Sequence, residues 1–412
     1  MGSNTVVSGF FSRNRAVFKM GLTALVIAAT ADLIAGLFLS SMEEYILLIP
    51  GMMILVYSAI GMRGNIFGAM GSRLGTSMHM GTFKLSFKKG SILRANIESS
   101  IGLTFLISLA MGVIGWAVVI LFDFGSVDVM SFVFISMMGG LMAGLVLLGF
   151  NLLIARTGFK RNWDVDNITA PLIAAAGDIV TMPMLFICAW VVIECPDQNI
   201  VNIMTMGLIL VTIVILVIIF SRKIIAGMKD EAKRIIVQSS PILLGCLFLD
   251  IAAGVIIEGE SHSLILLPVL MILMPAFLNE GNALSGMLTS RLSSMLHLGT
   301  LKVGRLPGKN AGENFTITYV LAAITYGYIG IIAYVAAILT GGPGSIDFLT
   351  VMAIVLVAGM ITTTVLNLLS YYVAVAAVRF DLDPDDHSIP ITSSSMDLIS
   401  ATVLVSIIVL LI

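Results

Sequence analysis

Two aspartates occupy matching places in the two halves of the chain. Asp178 lies in PLIAAAGDIVTMPML and Asp397 in PITSSSMDLISATVL, each several residues after a proline and inside a run apolar enough to cross a bilayer. A carboxylate at membrane depth costs roughly 2.5–3.5 kcal/mol on insertion scales, so it is rarely kept there without a charged or polar partner. Neither run contains Lys or Arg. A cation that comes and goes therefore fits better than a permanent ion pair. Two facing carboxylates repel unless a divalent ion neutralises both, and oxygen ligands without His or Cys beside them favour magnesium, calcium or manganese over zinc or copper.

Asp32 and Asp250 form a second matched pair in apolar runs. They are candidates for a coupling ion, Na⁺ or a proton, or for polar contacts within a bundle. Two polar, glycine-rich stretches add further oxygen donors: Gly61, Arg63, Gly64, Asn65 and Gly68 in one half, Asn279, Glu280, Gly281, Asn282 and Gly286 in the other. They are expected to interrupt their spans and free backbone carbonyls toward a cavity, with close helix packing as the alternative use of the glycines. Arg63 and Glu280 are not expected to face lipid. His79 and His297 sit at predicted helix ends, and Arg73 and Arg291 are placed to snorkel to the same surface. The 26 methionines and the three cysteines, Cys188, Cys195 and Cys246, have no metal-ligand spacing and are read as apolar filling or a loop thiol.

The elements that must position these residues are membrane spans. With 58% hydrophobic and 11% charged residues, and a mean hydropathy of +1.07, the chain has too little polar surface to cover a soluble globule. Its net charge of −2 gives no sign of a nucleic-acid partner, and no cleaved signal peptide is expected at its start. About eleven runs reach the roughly 20 residues a spanning helix needs: 19–40, 45–70, 97–122, 129–155, 168–194, 199–221, 236–257, 263–290, 314–340, 347–377 and 389–411. Lys and Arg cluster in alternate loops, and the opposite loops carry Glu43, Glu44, Asp123, Asp128, Glu194, Asp197, Glu258, Glu260 and Asp347. The positive-inside rule then places the N-terminus in the cytoplasm and the C-terminus outside.

The chain repeats itself. RLGTSMHMGTFK at 73–84 returns as RLSSMLHLGTLK at 291–302, an offset of 218 that also maps Asp32 onto Asp250, Pro50 onto Pro268 and Gly68 onto Gly286. Further on the offset is 219, mapping Asp164 onto Asp383, Asp166 onto Asp385, Pro171 onto Pro390 and Asp178 onto Asp397. Residues 1–195 form a first five-span repeat, 196–234 a linker helix and loop, and 235–412 a second repeat. The extra span makes the copies parallel, related by an axis along the membrane normal. The expected fold is an all-α polytopic bundle in which Asp178 approaches Asp397.

Gly64-Asn65 followed by SRL, then Asp166-Asn167, Pro171 and Asp178, resemble the membrane domain of the MgtE family of magnesium channels and transporters. Asn282 followed by SRL, then Asp383-Pro384-Asp385, Pro390 and Asp397, give the same pattern again. Two copies in one chain resemble the duplicated solute carrier 41 magnesium transporters. The second copy carries one extra residue between Asn282 and Arg291, so Asn65 aligns with Ala283 at constant offset. The resemblance implies a pore lined by the second and fifth helices of each copy, with Mg²⁺ at Asp178 and Asp397. Asn65 and Asn282 would help at the helix breaks, and backbone carbonyls near Ala174, Gly177 and Ser393 would face a wide site holding a hydrated ion. The expected protein is a non-enzyme of the plasma or inner membrane. It has no bound cofactor, a divalent cation as cargo, the lipid bilayer around it, and a site complete within one chain. A secondary transporter exchanging Mg²⁺ for Na⁺ or H⁺ uses the same residues. An intramembrane aspartyl protease also needs two aspartates, but takes them from dissimilar helices.

Overall fold

Long apolar sequences in a medium without water must satisfy their backbone internally, and helices do so within one segment. The computed structural model is accordingly all-helical among its described residues, which are 15–88, 90–161, 165–221, 231–297, 299–301, 304, 306–342, 344–380 and 389–412. The helices are α1 (Arg15–Ser41), α2 (Glu43–Leu48), α3 (Met52–His79), α4 (Ile92–Leu121), α5 (Val129–Arg161), α6 (Val165–Glu194) and α7 (Gln198–Ser221). They continue with α8 (Glu231–Gly259), α9 (Ser261–Ile265), α10 (Pro268–His297), α11 (Lys309–Thr340), α12 (Phe348–Phe380) and α13 (Ile389–Leu411). Asp164, Asp383 and Asp385 lie outside the described residues, as do the side chains of Asp166, Pro171 and Ala174.

Ten of these helices are long and apolar enough to cross a membrane. The eleventh long helix, α10, has 30 residues but carries Asn279, Glu280, Asn282 and Arg291. The chain is a polytopic all-α membrane protein. The expected span at 45–70 is instead two elements, the short α2 and the longer α3, separated where Gly51 takes φ +85°. That left-handed backbone suits glycine.

The first helix of each copy is inserted into the other copy. α1 packs against α10 and α11 as well as α6, and α8 packs against α3 and α4 as well as α13. Two glycines permit the close crossing. A Cβ on Gly36 of α1 would lie 1.9 Å from the Ile272 carbonyl oxygen of α10, and one on Gly254 of α8 would lie 2.7 Å from Ile54 Cα of α3. Both pairs are related by the 218-residue offset. Small residues that let helix backbones touch are the usual glue of membrane bundles. α7 packs only on the outside, against α5 and α4.

α3 and α10 are continuous helices through their glycine-rich stretches. The expected helix breaks are absent, because packing on both sides outweighs the roughly 1 kcal/mol a helical glycine costs. Ala174 and Gly177 likewise fall inside α6, and Ser393 inside α13. Their carbonyls remain in helical register, so the picture of carbonyls freed at a break does not hold.

Candidate functional site

The interlocked helices bring the four aspartates into the middle of the bundle. Asp32 on α1, Asp178 on α6 and Asp250 on α8 are at most 4% exposed, and Asp397 on α13 is partly buried. Asp32 adjoins Asp178, and Asp250 lies beside Asp397. The two pairs meet through Asp178 and Asp397, which are within direct electrostatic reach of each other. The sequence treats these residues as two separate symmetric pairs. The fold regroups them as two acidic pairs within electrostatic reach of each other, with no three acidic side chains among the described residues close enough to share one ion, because each first helix wedges against the fifth helix of its own copy.

No ion pair reaches this centre among the described residues. The two recorded there, Arg94 with Glu98 and Arg234 with Glu231, lie at exposed helix ends. Arg63 is fully buried but points elsewhere, its Nη2 donating to Ser108 Oγ at 3.1 Å. Glu280 accepts from Thr325 Oγ1 at 2.5 Å and lies within electrostatic reach of Asp32. Both avoid lipid, and neither neutralises an aspartate.

The two side-chain amides that donate to the centre come from α10, and the Ser394 hydroxyl of α13 adjoins Asp250. Asn279 Nδ2 donates to Asp32 Oδ2 at 2.8 Å, and Asn282 Nδ2 donates to Asp397 Oδ1 at 2.7 Å. The positions equivalent to Asn279 and Asn282 in α3 are Gly61 and Gly64. Asn65 is not the counterpart of Asn282. Its Nδ2 reaches across to Ser394 Oγ at 3.1 Å, next to the centre.

Several buried oxygens are left over. Asp32 Oδ1, Asp178 Oδ2, both oxygens of Asp250, Asp397 Oδ2, Asn282 Oδ1 and the Tyr57 hydroxyl make no hydrogen bond of normal geometry. Buried polar atoms are ordinarily paired, and each exception calls for an explanation such as an ion or water. Tyr57, Asp250, Asn279, Asn282 and Asp397 line one cavity of about 20 Å³. At roughly 10–15 Å³ per water-sized occupant it has room for one or two. The wide site expected for a fully hydrated ion is thus not the shape of this conformation. Tyr57 was missed from the sequence, since the repeat places Pro275 opposite it.

An all-helical membrane bundle with carboxyls buried at its centre has the chemistry to hold a cation. The chain belongs to the MgtE family, divalent cation transporters, which matches residues 56–188 and 274–407. The two matches begin 218 residues apart and end 219 apart, the same offsets as the internal repeat. Solute carrier family 41 member 2 of Macaca fascicularis and of Homo sapiens are each 22% identical to the chain, over 93% of it and 68% of their own length. The Gallus gallus protein of that name is 21% identical over the same shares. Among solved structures, a eukaryotic MATE transporter, AtDTX14, aligns over 95% of this chain and 96% of its own at 13% identity and a TM-score of 0.33.

Proposed function

We propose that the protein moves Mg²⁺ across the plasma or inner membrane through the acidic centre between its two copies. The observation that carries this is four aspartates, at repeat-equivalent positions, buried together without a basic partner. Four such carboxyls are tolerable only if something positive neutralises them, and a divalent ion neutralises two at once. Magnesium fits the all-oxygen donor set. Since both copies lie in one chain, a single protomer supplies the whole centre. The basic loops put the N-terminus in the cytoplasm.

A second reading, exchange of Mg²⁺ for Na⁺ or H⁺, is favoured by the contact of Asp32 with Asp178 and by Asp250 and Asp397 lining one cavity within electrostatic reach of each other. Counter-ion and cargo would then compete for adjoining carboxyls. Flux into liposomes holding the purified protein tests both. Mg²⁺ uptake above protein-free liposomes is expected, with Ca²⁺, Mn²⁺ and Co²⁺ compared in the same assay. Uptake that needs an opposing Na⁺ or pH gradient identifies an exchanger, and uptake indifferent to both identifies a channel. No uptake of any divalent ion refutes the proposal.

A further inference from the structure

The two halves of the acidic centre do not offer the same ligands. The cavity is lined by Asp250 and Asp397, but by neither Asp32 nor Asp178. The residues around it carry five buried oxygens without a hydrogen bond of normal geometry: two on Asp250, beside which the Ser394 hydroxyl lies, Asp397 Oδ2, Asn282 Oδ1 and the Tyr57 hydroxyl. Tyr57 is 6% exposed. A phenol is rarely buried without a partner; Tyr57 lines the cavity, and Asp178 also lies within electrostatic reach of its hydroxyl.

The repeat shows what the other half lacks. Carrying this donor set through the offsets of 218 and 219 turns Asp250 into Asp32, Asp397 into Asp178, Asn282 into Gly64 and Tyr57 into Pro275. The equivalent site would keep two carboxyls and lose both neutral oxygens. Each half has one carboxylate oxygen taken by an α10 amide, Asn279 on Asp32 Oδ2 and Asn282 on Asp397 Oδ1. The α3 residue facing Asp250 is Gly61, which has no side-chain amide to donate, and the Ser394 hydroxyl lies beside that carboxylate instead.

We propose that the divalent cation is held asymmetrically, by Asp250, Asp397, the Asn282 amide oxygen and the Tyr57 hydroxyl, and that the Asp32–Asp178 half is not an equivalent site. Two carboxylates balance the charge of one divalent ion, and the four residues supply five oxygens without a hydrogen bond of normal geometry. That is most of the six-oxygen shell of Mg²⁺, with room for a water to complete it. Asp250, a coupling-ion candidate from sequence, becomes a ligand for the cargo itself. The Asn282 amide has two roles, its Nδ2 fixing Asp397 while its Oδ1 faces the ion.

This inference rests on the divalent-cation reading above. The test is equilibrium binding of Mn²⁺ to the full chain in detergent, followed by electron paramagnetic resonance, with Mg²⁺ as competitor. Thermal unfolding without metal checks each variant's fold. One Mg²⁺-displaceable Mn²⁺ per chain is expected. Asp250→Asn and Asp397→Asn should abolish it, Tyr57→Phe should weaken it about tenfold, and Asp32→Asn should weaken it at least tenfold less than Asp250→Asn does. If Asp32→Asn loses binding as completely as Asp250→Asn, the site is symmetric and the inference fails. It also fails if Tyr57→Phe, the mildest change to the fold, binds as tightly as the unaltered chain. Absence of saturable Mn²⁺ binding in the unaltered chain, together with absence of flux, would instead overturn the divalent-cation reading.

Discussion

Replacing Gly61 by Ala adds a single methyl group beside the acidic centre, and the structure gives its consequence. The new Cβ would lie 2.4 Å from Asp250 Oδ2 and 2.8 Å from its Cγ, where ordinary contact begins at 3.4 Å. The carboxyl must therefore swing away by about 1 Å. Oxygen ligands bind magnesium and calcium within about 2.0–2.6 Å, so a shift of that size removes Asp250 from the coordination shell. Loss of one charged ligand should raise the half-saturating Mg²⁺ concentration ten- to a hundredfold, or about 1.4–2.7 kcal/mol. The fold should not suffer, because Ala is favoured over Gly inside a helix by roughly 0.5–1 kcal/mol. Gly64→Ala provides the control, since one turn along the same helix its Cβ would meet nothing within 4 Å. Concentration-dependent Mg²⁺ uptake into liposomes, with thermal unfolding of each variant, measures both effects. Unchanged half-saturation in Gly61→Ala, or equal impairment in Gly64→Ala, would refute the placing of Asp250 at the cation.

Three further predictions concern the bundle around the centre. Gly36→Ala forces a methyl group against the Ile272 carbonyl oxygen at 1.9 Å; overpacking of this kind costs about 1–3 kcal/mol, read as a lowered unfolding temperature, and a stable variant would contradict the tight α1–α10 crossing. Glu258, at the end of α8, accepts from the Gly51 and Met53 backbone N–H groups at 2.7 and 3.0 Å and so caps the start of α3. Glu258→Ala should cost about 1.5–3 kcal/mol of stability for its charged hydrogen bonds, and an unaltered unfolding temperature would count against the cap. Arg63→Met removes a buried charge held by Ser108 alone among its recorded bonds. Stability should hold or rise with Mg²⁺ flux within about twofold, whereas flux falling to background would place the guanidinium on the ion's path.

Much of this fold is written plainly in the sequence, because a span needs only length and apolarity and a duplication needs only a constant offset. Eleven long helices lie close to the eleven expected runs, and Asp178 and Asp397 are at the centre. Pair periodicity could not show that α1 and α8 each also pack into the opposite copy. Gly36 and Gly254 are the only trace of that packing, and a glycine in a span has many uses. The regrouping of Asp32 with Asp178 depends on the packing of α1 against α6 within its own copy, which a constant offset between the copies does not display. The glycine-rich stretches misled, since a local helix cost was outweighed by packing that the sequence does not display. Tyr57 escaped because symmetry directs attention to residues that recur, and its counterpart is Pro275. The departures from the repeat, Tyr57, Gly61, Gly64 and Arg63 against Pro275, Asn279, Asn282 and Gly281, were legible all along as the places where the two halves differ.

The most direct test of the acidic centre is Mg²⁺ flux in liposomes for the unaltered chain and for the double variant Asp178→Asn, Asp397→Asn. Asparagine keeps the size and one oxygen of each side chain and removes the charge that attracts the ion. The expected result is flux in the unaltered chain and background flux in the double variant, whose unfolding temperature should be unchanged or raised, since removing buried charge relieves desolvation. Flux at the unaltered rate through a folded double variant would contradict the central claim.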